Sequence, residues 1–497
     1  MIRRLKRRSR PMTAFNKYFK AFCVLTILLV GAIYMGYGFY VNVEQLDDFY
    51  DWPSFFIVAA GLLVMGIAYA VTRLPIPRVY YVSGMLILAF LLRLLWVLFV
   101  PTEPESDFLT LHNAALSVTE GDFSFTENSY FQKWVYQLGF VMYQALIIFL
   151  FGEDIFILQF FNILFSVAMV WMVYKITTEI FEEKAGHLAG LIYTFYIPAI
   201  VMTSLLTNQI LATLLFYIGA YLLVKRFEDK NWSWIAIGVL FALGHIIRPL
   251  GSFVLLAAGI FVFVVYLLRN NRRNILINSG KFLGVITTYL LVLTIASQTL
   301  IISGISDYPL ENRDPKWKFV VGLNHETRGT YSNEGSKTLS NLSWKERLAK
   351  EEEMIEERLS DPSRLPPLFH DKFSIMWGDR DASIMWSYQG DDEDFKDWLY
   401  KTDKFIYLQF FIFGMIAIFG LIKSAKGNLE NKQQKALFFV LFIIGYAMIH
   451  LLIEIQTRYR FVLMPGLITL QSYGVYVLHR LFIRSKKRES IRKSSAS

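Results

Sequence analysis

The sequence predicts an all-α polytopic membrane protein with about twelve transmembrane helices and one large extracytoplasmic loop. Two observations favour this fold class. Of the 497 residues, 55% are hydrophobic and the mean hydropathy is +0.40, so the chain is more apolar than a typical soluble domain. Apolar stretches of about 20 residues also recur along the chain, and this is the length that a helix needs to cross a bilayer.

The charged residues indicate how the chain is oriented. Residues 1–20 carry eight basic and no acidic side chains, and residues 480–497 carry seven basic and one acidic. Because basic residues accumulate on the cytoplasmic side of membrane proteins, both termini are expected in the cytoplasm. The net charge of +9 is therefore attributed to topology, and we expect no nucleic-acid partner. The single cysteine, Cys23, excludes an intrachain disulfide.

Twelve apolar runs are predicted to cross the membrane. They cover about 20–41, 54–73, 79–100, 154–174, 185–201, 203–224, 232–249, 251–268, 280–303, 404–422, 434–453 and 459–480. A further apolar run, 135–151, is not predicted to cross the membrane. The loop 101–134 before it carries six acidic residues and one basic residue, so it is expected outside. Counting back from the C-terminus places the start of 154–174 outside too, so 135–151 is predicted to be an interfacial or re-entrant helix.

The chain divides into six predicted regions. In order, they are a basic cytoplasmic tail (1–19), two extra spans (20–78), a transmembrane core (79–303) with first outer loop 101–153, an extracytoplasmic cap (304–402), further spans (403–480) and a second basic tail (481–497). The cap region holds 14 basic and 20 acidic residues and one strong helix-forming stretch, Ser343–Leu359. At about 100 residues it is expected to be a small lid over the membrane bundle.

The stretch 101–139 is polar, acidic and aromatic, although it lies beside the bilayer. Within it, Asp107 stands at the start of a predicted helix. We interpret Asp107 as a general base, because a carboxylate at the membrane surface can take a proton from an attacking hydroxyl. Glu105 is the competing candidate for this catalytic role. The structural alternative is that Ser106 or Asp107 caps the helix.

Three arginines at predicted outer positions favour an anion site. Arg248 precedes Pro249, which breaks a helix on the outer face, and an arginine beside freed backbone donors suits a phosphate. The alternative for Arg248 is a snorkelling side chain at a helix end. Arg458 and Arg460 lie in a short outer loop, against the positive-inside trend. We expect either the acidic loops or a ligand phosphate to balance them.

Two further groups of residues are candidates for binding. Lys133 and Tyr136 are expected to add to the anion site, with an aromatic belt as the alternative for Tyr136. Asn324, His325 and Glu326 lie in a polar loop that suits the hydroxyl groups of a sugar or acceptor, as ordinary surface loops also do. No metal-ligand set and no glycine-rich phosphate loop is found in the sequence. We therefore expect no cofactor, no metal and no soluble nucleotide-activated substrate.

Several short motifs occur in a characteristic order. They are Ser106-Asp107-Phe108, Ala114-Ala115 to Glu120-Gly121, Tyr136-Gln-Leu-Gly139, Phe151-Gly152, Arg248-Pro249 and Arg458-Tyr-Arg-Phe461. Together they resemble the glycosyltransferase C superfamily, specifically its bacterial protein O-mannosyltransferase and aminoarabinose-transferase-like branch, a family 39-like membrane glycosyltransferase. The similarity covers roughly residues 79–303 and, more loosely, 440–480.

The resemblance implies a seven-span core, which agrees with the spans counted from charge between 79 and 303. It implies a hexosyltransferase of the cell membrane and cell envelope that uses a polyprenyl-phosphate-linked sugar and acts on the outer face. Asp107 would be the base for the hydroxyl of a glycan, lipid or protein acceptor, with inversion, and Arg248, Arg458 and Lys133 would hold the lipid phosphate.

Two features depart from the family pattern. Thr207 is followed by Asn208 where the family commonly has an acidic residue, and Phe108 stands where many members have a second acidic residue. The alternative functions are a transporter or flippase of lipid-linked saccharides and a non-catalytic cell-envelope scaffold.

Overall fold

The computed structural model describes residues 14–229, 232–269, 272–332, 337–339, 342–425 and 432–494. The regular elements of these residues are helices, and no β-strand occurs among them, which confirms the predicted all-α class. The helices of the first half, α1 to α10, are Ala14–Glu44, Ser54–Val71, Arg78–Phe99, Ser106–Glu120, Ser129–Lys133, Leu138–Phe151, Ile155–Ile180, Glu183–Phe195, Ile197–Val201 and Gln209–Arg226. Those that follow, α11 to α20, are Ser233–Ile247, Gly251–Val265, Arg272–Ile302, Pro315–Gly322, Trp344–Leu359, Leu365–Gly378, Ala382–Ser387, Glu393–Ala425, Leu437–Ile449 and Met464–Ser494.

Within the described ranges, eight helices are long and apolar enough to cross a membrane. They are α1, α2, α3, α7, α10, α13, α18 and α20, the last together with the 3₁₀ turn before it. Four shorter apolar helices cover Val135–Phe151, Ser233–Ile247, Gly251–Val265 and Gln433–Ile449. Eleven of the twelve predicted spans therefore coincide with one apolar helix each, while the exact number that crosses stays a prediction.

One predicted span, 185–201, is not a straight helix. It consists of α8 and α9, which meet at an angle of 63°. Pro198 lies in the first turn of α9, and proline cannot supply the backbone N–H that a continuous helix would need at this position. Helix α18 runs without interruption from Glu393 across the region boundary predicted at 402/403.

Basic side chains mark one end of the helix bundle. There Lys184 Nζ donates to Thr72 O at 2.8 Å, and Lys435 Nζ lies 2.7 Å from a carboxylate oxygen of Glu179. At the opposite end, the loop after α3 meets the region after α17, because Thr102 Oγ1 donates to the backbone oxygen of Ser387 at 2.7 Å. The end with Lys184 and the end with Thr102 are therefore opposite, and which of them faces the cytoplasm stays a prediction.

Helix α6 has both ends at this second end of the bundle. Its start packs so closely on the end of α11 that a Cβ at Gly139 would overlap the backbone oxygen of Ile246. Its last residue leads directly into the first turn of α7, where Gln159 Nε2 donates to Ser204 O at 2.9 Å. This course supports the prediction that 135–151 lies along the membrane surface.

The cap is tied to the bundle by main-chain contacts. Arg313 N donates to Lys133 O at 3.0 Å and Tyr136 N donates to Glu311 O at 3.3 Å, so the stretch before α14 runs beside the first outer loop. Within the cap, Ser343 and Glu346 form a capping box at the start of α15, which confirms the predicted helix 343–359.

A buried lysine joins the cap to the loop between α19 and α20. Lys372 is 1% exposed, and its Nζ donates to the backbone oxygens of Gly322, Leu451 and Ile453 at 2.5, 2.8 and 3.0 Å. Burial lowers the pKa of Lys372 to about 7. Three carbonyl acceptors on two segments fix the position of this loop relative to the cap.

Candidate active site

Asp107 lies in the first turn of α4, next to an unusual backbone conformation. Ser106 has φ +51°, a left-handed value that costs a non-glycine residue about 1–3 kcal/mol. The residue at the N-cap is Glu105, and neither it nor Ser106 caps the helix through a side-chain hydrogen bond. Asp107 is therefore not used as a cap; it is exposed, and it shares a hydrogen bond with the hydroxyl of Tyr130. Burial, with Asp107 adding to it, raises the pKa of Tyr130.

Arg248 ends α11 and points to a neutral partner. Its backbone N–H donates to Gly244 O at 2.9 Å, and Pro249 follows, so the helix stops here. Its Nη1 donates to Asn208 Oδ1 at 2.7 Å, and its guanidinium lies 5.4 Å from the centre of the Tyr459 ring. Arg248 is half-buried, so the side chain is partly accessible.

The loop between α19 and α20 supplies a second set of polar side chains. Glu454 is buried and forms an ion pair with Lys318, which reaches it from α14. Gln456 Nε2 donates to Glu454 Oε1 at 2.8 Å, and Gln456 Oε1 accepts from Arg458 Nε at 2.7 Å. The Arg458 guanidinium lies 5.2 Å from the ring centre of Phe108, the residue after Asp107. The loop thus brings a second arginine against the residue that follows Asp107.

Tyr136 lies between these groups. Its phenol interacts electrostatically with Lys318, Tyr459, Arg248 and Asp107. The cluster that we call the acid–cation site therefore consists of Asp107, Tyr130, Tyr136, Asn208, Arg248, Lys318, Glu454, Gln456, Arg458 and Tyr459.

Both members of the Lys318–Glu454 pair remain charged. Burial favours neutral Lys318, but the nearby Tyr459 and Glu454 outweigh it and raise the pKa of Lys318. Burial likewise opposes ionisation of Glu454, yet Lys318 and the hydrogen bonds to the carboxylate lower its pKa. Counted by residue type, the acid–cation site has three cationic side chains, Arg248, Lys318 and Arg458, and two carboxylates, Asp107 and Glu454, which is a surplus of one cation.

Of the predicted site residues, the structure brings together Asp107, Tyr136, Arg248 and Arg458. Glu105 precedes Asp107 by two residues and is likewise exposed, but no hydrogen bond or ion pair joins its side chain to this cluster among the described residues. Lys133 lies elsewhere, where burial and Arg347 lower its pKa against the opposing effect of Asp314 and Glu351. It therefore belongs to the charge cluster of the cap.

Arg460 is occupied by protein groups. It is 1% exposed, its Nε lies 3.0 Å from Asp381 Oδ2, and its Nη2 lies 3.8 Å from Asp403 Oδ2. Residues 457–463 form a 3₁₀ helix with about 3 residues per turn, so Arg458 and Arg460 point in different directions. The structure leaves Arg460 no open side for a ligand.

The side chains of the predicted sugar-binding loop make separate contacts, although the loop adjoins the acid–cation site because Ile455 N donates to Gly329 O at 3.0 Å. Asn324 Oδ1 accepts from the backbone N–H of Glu326 at 2.9 Å, which fixes a turn. His325 Nε2 lies 3.2 Å from Arg358 O, and Glu326 is exposed. In the part of the chain that the structure describes, no three His, Cys, Asp or Glu side chains are close enough to share a metal ion.

Sequence reasoning missed Tyr130, Lys318, Glu454 and Gln456. Lys318 is one of 14 basic residues in 304–402, and nothing in its local sequence distinguishes it. Glu454 had a usable signal, because it is an acidic residue four positions before Arg458 at the end of an apolar run.

Comparison with known proteins gives one family match. Residues 138–297, which include α6, Asn208 and Arg248, match the family model of dolichyl-phosphate-mannose-protein mannosyltransferases. Over these residues, the match bears out the resemblance to the glycosyltransferase C superfamily that the sequence motifs predicted. No curated protein matches the chain significantly over its sequence.

Solved structures with similar folds come from Archaeoglobus fulgidus. The oligosaccharyltransferase AglB, in complex with an inhibitory peptide and a dolichol-phosphate, is 12% identical with a TM-score of 0.46, over 84% of this chain and 52% of that chain. An A. fulgidus oligosaccharyltransferase tethered to an acceptor peptide gives 11% identity and a TM-score of 0.43, over 82% and 50% of the two chains. The A. fulgidus oligosaccharyltransferase in its apo form is 10% identical with a TM-score of 0.44, over 84% of this chain and 52% of that chain. The chain thus spans about half the length of these proteins.

Proposed function

We propose that this enzyme transfers a hexose from a polyprenyl-phosphate-linked donor to an acceptor hydroxyl, with Asp107 as the general base and inversion at the anomeric carbon. The observation that carries the proposal is the acid–cation site, where one exposed carboxylate faces a surplus of positive charge. Such a site suits a reaction in which a hydroxyl loses a proton while a phosphate gains negative charge.

The matched family supports a lipid-linked donor. Its name describes enzymes that use dolichyl-phosphate-mannose and act on protein, and the match contains Arg248 and Asn208. We extend only the donor chemistry to this enzyme. The acceptor class is proposed as a glycan, a lipid or a protein hydroxyl.

The proposed reaction has one bond-forming and one bond-breaking event. The acceptor oxygen attacks the anomeric carbon while Asp107 takes its proton. The bond from that carbon to the phosphate oxygen breaks, and the polyprenyl phosphate leaves with the bonding electrons. Arg248, Arg458 and Lys318 stabilise the charge that develops on the leaving phosphate, and the polyprenyl tail supplies binding energy that positions it.

The proposed topology follows from charge. Both termini and the basic end of the bundle lie in the cytoplasm, and the acid–cation site with the cap lies on the outer face of the cell membrane. The donor enters sideways from the outer leaflet, because its tail stays in lipid while its phosphate reaches the cations.

The proposal is tested by replacing the base in purified enzyme. Asp107→Asn keeps the shape of the side chain but cannot accept the proton, so sugar transfer from a panel of polyprenyl-phosphate sugars should fall by at least about a hundredfold. Binding of the donor should persist, and NMR of the wild-type product should show the inverted anomeric configuration.

Two further carboxylates complete the experiment. Glu120 is exposed and lies on the same helix as Asp107. The variant Glu120→Gln is therefore the matched control, and it should keep full transfer activity. Glu105→Gln tests the competing base. Transfer that survives in Asp107→Asn and disappears in Glu105→Gln would reject our assignment.

A further inference from the structure

Two arginines of the acid–cation site are held by neutral amides. Arg248 Nη1 donates to Asn208 Oδ1 at 2.7 Å, and Arg458 Nε donates to Gln456 Oε1 at 2.7 Å. Among the residues that the structure describes, neither arginine has a carboxylate oxygen within 4.0 Å. Their positions are therefore fixed without neutralising their charge.

Other cations are held in one of two ways. Lys318 pairs with Glu454, Arg347 Nη2 lies 2.7 Å from Asp314 Oδ2, and Arg460 Nε lies 3.0 Å from Asp381 Oδ2. Lys372, in contrast, is fully buried and meets backbone oxygens. Arg248 and Arg458 combine a neutral side-chain partner with partial exposure, so their charge is neither paired nor closed off from a ligand.

Both amides are themselves anchored. Gln456 donates through Nε2 to Glu454 at 2.8 Å, so its oxygen is the atom left to accept from Arg458. Asn208 is 9% exposed, and the backbone just before it is held by Asn162 Nδ2, which donates to Leu205 O at 2.8 Å. An anchored acceptor lowers the conformational freedom that an arginine would lose on binding a ligand.

We propose that Asn208 and Gln456 are positioning residues that hold Arg248 and Arg458 uncompensated for an anionic phosphate group. This rests on the proposed function and deepens it, since it names which cations receive the charge. A carboxylate in place of either amide would keep the hydrogen bond but would compete with the phosphate for the same arginine.

The test compares two substitutions at one position. Asn208→Asp preserves shape and strengthens the contact to Arg248, whereas Asn208→Ala removes the contact and preserves the net charge. The proposal expects Asn208→Asp to bind a polyprenyl phosphate in detergent about tenfold more weakly than wild type, and more weakly than Asn208→Ala. It also expects Asn208→Asp to melt at a higher temperature than Asn208→Ala. A merely structural asparagine would give the opposite order of binding.

Controls separate the possible explanations. Asn274→Asp adds the same charge on the exposed first turn of α13, far from the site, and should leave binding unchanged. Inorganic phosphate as a second probe distinguishes a free anion from a lipid headgroup. Gln456→Glu should weaken binding as Asn208→Asp does, and it provides a second measurement if one variant is poorly folded.

Each outcome has a distinct meaning. Wild-type affinity in Asn208→Asp, with polyprenyl phosphate bound by wild type, overturns this inference and leaves the lipid-linked donor intact. Absence of polyprenyl phosphate binding in wild type overturns the proposed donor and this inference with it.

Discussion

Arg458 and Arg460 are two residues apart, but replacing each with glutamine should affect a different property of the protein. Arg460 is buried between two acidic residues, Asp381 and Asp403, and its Nη1 also donates to Met376 O at 3.2 Å. Arg458 is half-buried, and its polar contact is the one to a neutral amide. We therefore expect Arg460→Gln to affect stability and Arg458→Gln to affect donor binding.

The structure sets the size of both effects. Removing one partner of a buried ion pair typically costs about 3–5 kcal/mol, because the remaining carboxylates are left buried without a counter-charge. At roughly 1–2 °C per kcal/mol for a chain of this length, the melting temperature of Arg460→Gln should fall by about 3–10 °C. Arg458→Gln loses one partly solvated hydrogen bond, worth about 1 kcal/mol, but should weaken polyprenyl phosphate binding about tenfold.

Thermal unfolding in detergent and binding of polyprenyl phosphate measure the two effects on the same samples. Arg460→Gln should bind the lipid with near wild-type affinity at a temperature where it is folded. The reasoning fails if Arg460→Gln melts within about 1 °C of wild type, or if it loses lipid binding while Arg458→Gln retains it.

Two more predictions concern packing and pH. Gly139→Ala should lower the melting temperature and weaken donor binding, because the new methyl group would push α6 away from Ile246 near the end of α11; Gly66→Ala, where nothing lies within 4 Å, is the matched control and should be neutral. In the cap, burial and a neighbouring carboxyl group raise the pKa of Glu351 to about 8 from its usual 4.5. The folded protein then holds more protons than the unfolded chain between these pH values, so this group's contribution to stability falls as pH rises through the window. Melting curves from pH 5 to 9 should show a shallower decline in Glu351→Gln, and equal slopes in the two proteins would contradict the assignment.

The helices could be predicted because their signal is local. A run of about 20 apolar residues determines a span without reference to the rest of the chain, and clusters of basic residues predict its direction. The break at Pro198 could also have been read from the sequence, because proline removes a helical donor wherever it stands. The start of α18 at Glu393 could not, since its charged first turns have no apolar signal.

The candidate site could be predicted only in part. Polar and ionisable groups beside a bilayer are energetically costly, so they often mark functional sites. This made Asp107, Tyr136 and Arg248 recognisable as candidates. Lys318 and Glu454 are 136 residues apart and meet only through the packing of the cap on the bundle. Such contacts leave no periodic pattern in either segment, so the local sequence does not indicate them.

The sequence by itself determined the all-α membrane class and the acidic and basic residues that lie between the apolar runs. Only the tertiary structure decided which of those charges meet. The side chains of Arg458 and Arg460 point in different directions because they lie on a 3₁₀ turn. Lys133 lies beside the charged residues Asp314, Arg347 and Glu351 of the cap. The tertiary structure also gave Arg248 a neutral partner, Asn208, from a helix start 40 residues earlier in the chain. Electrostatic free energy depends on distance and burial, and both are properties of the folded chain.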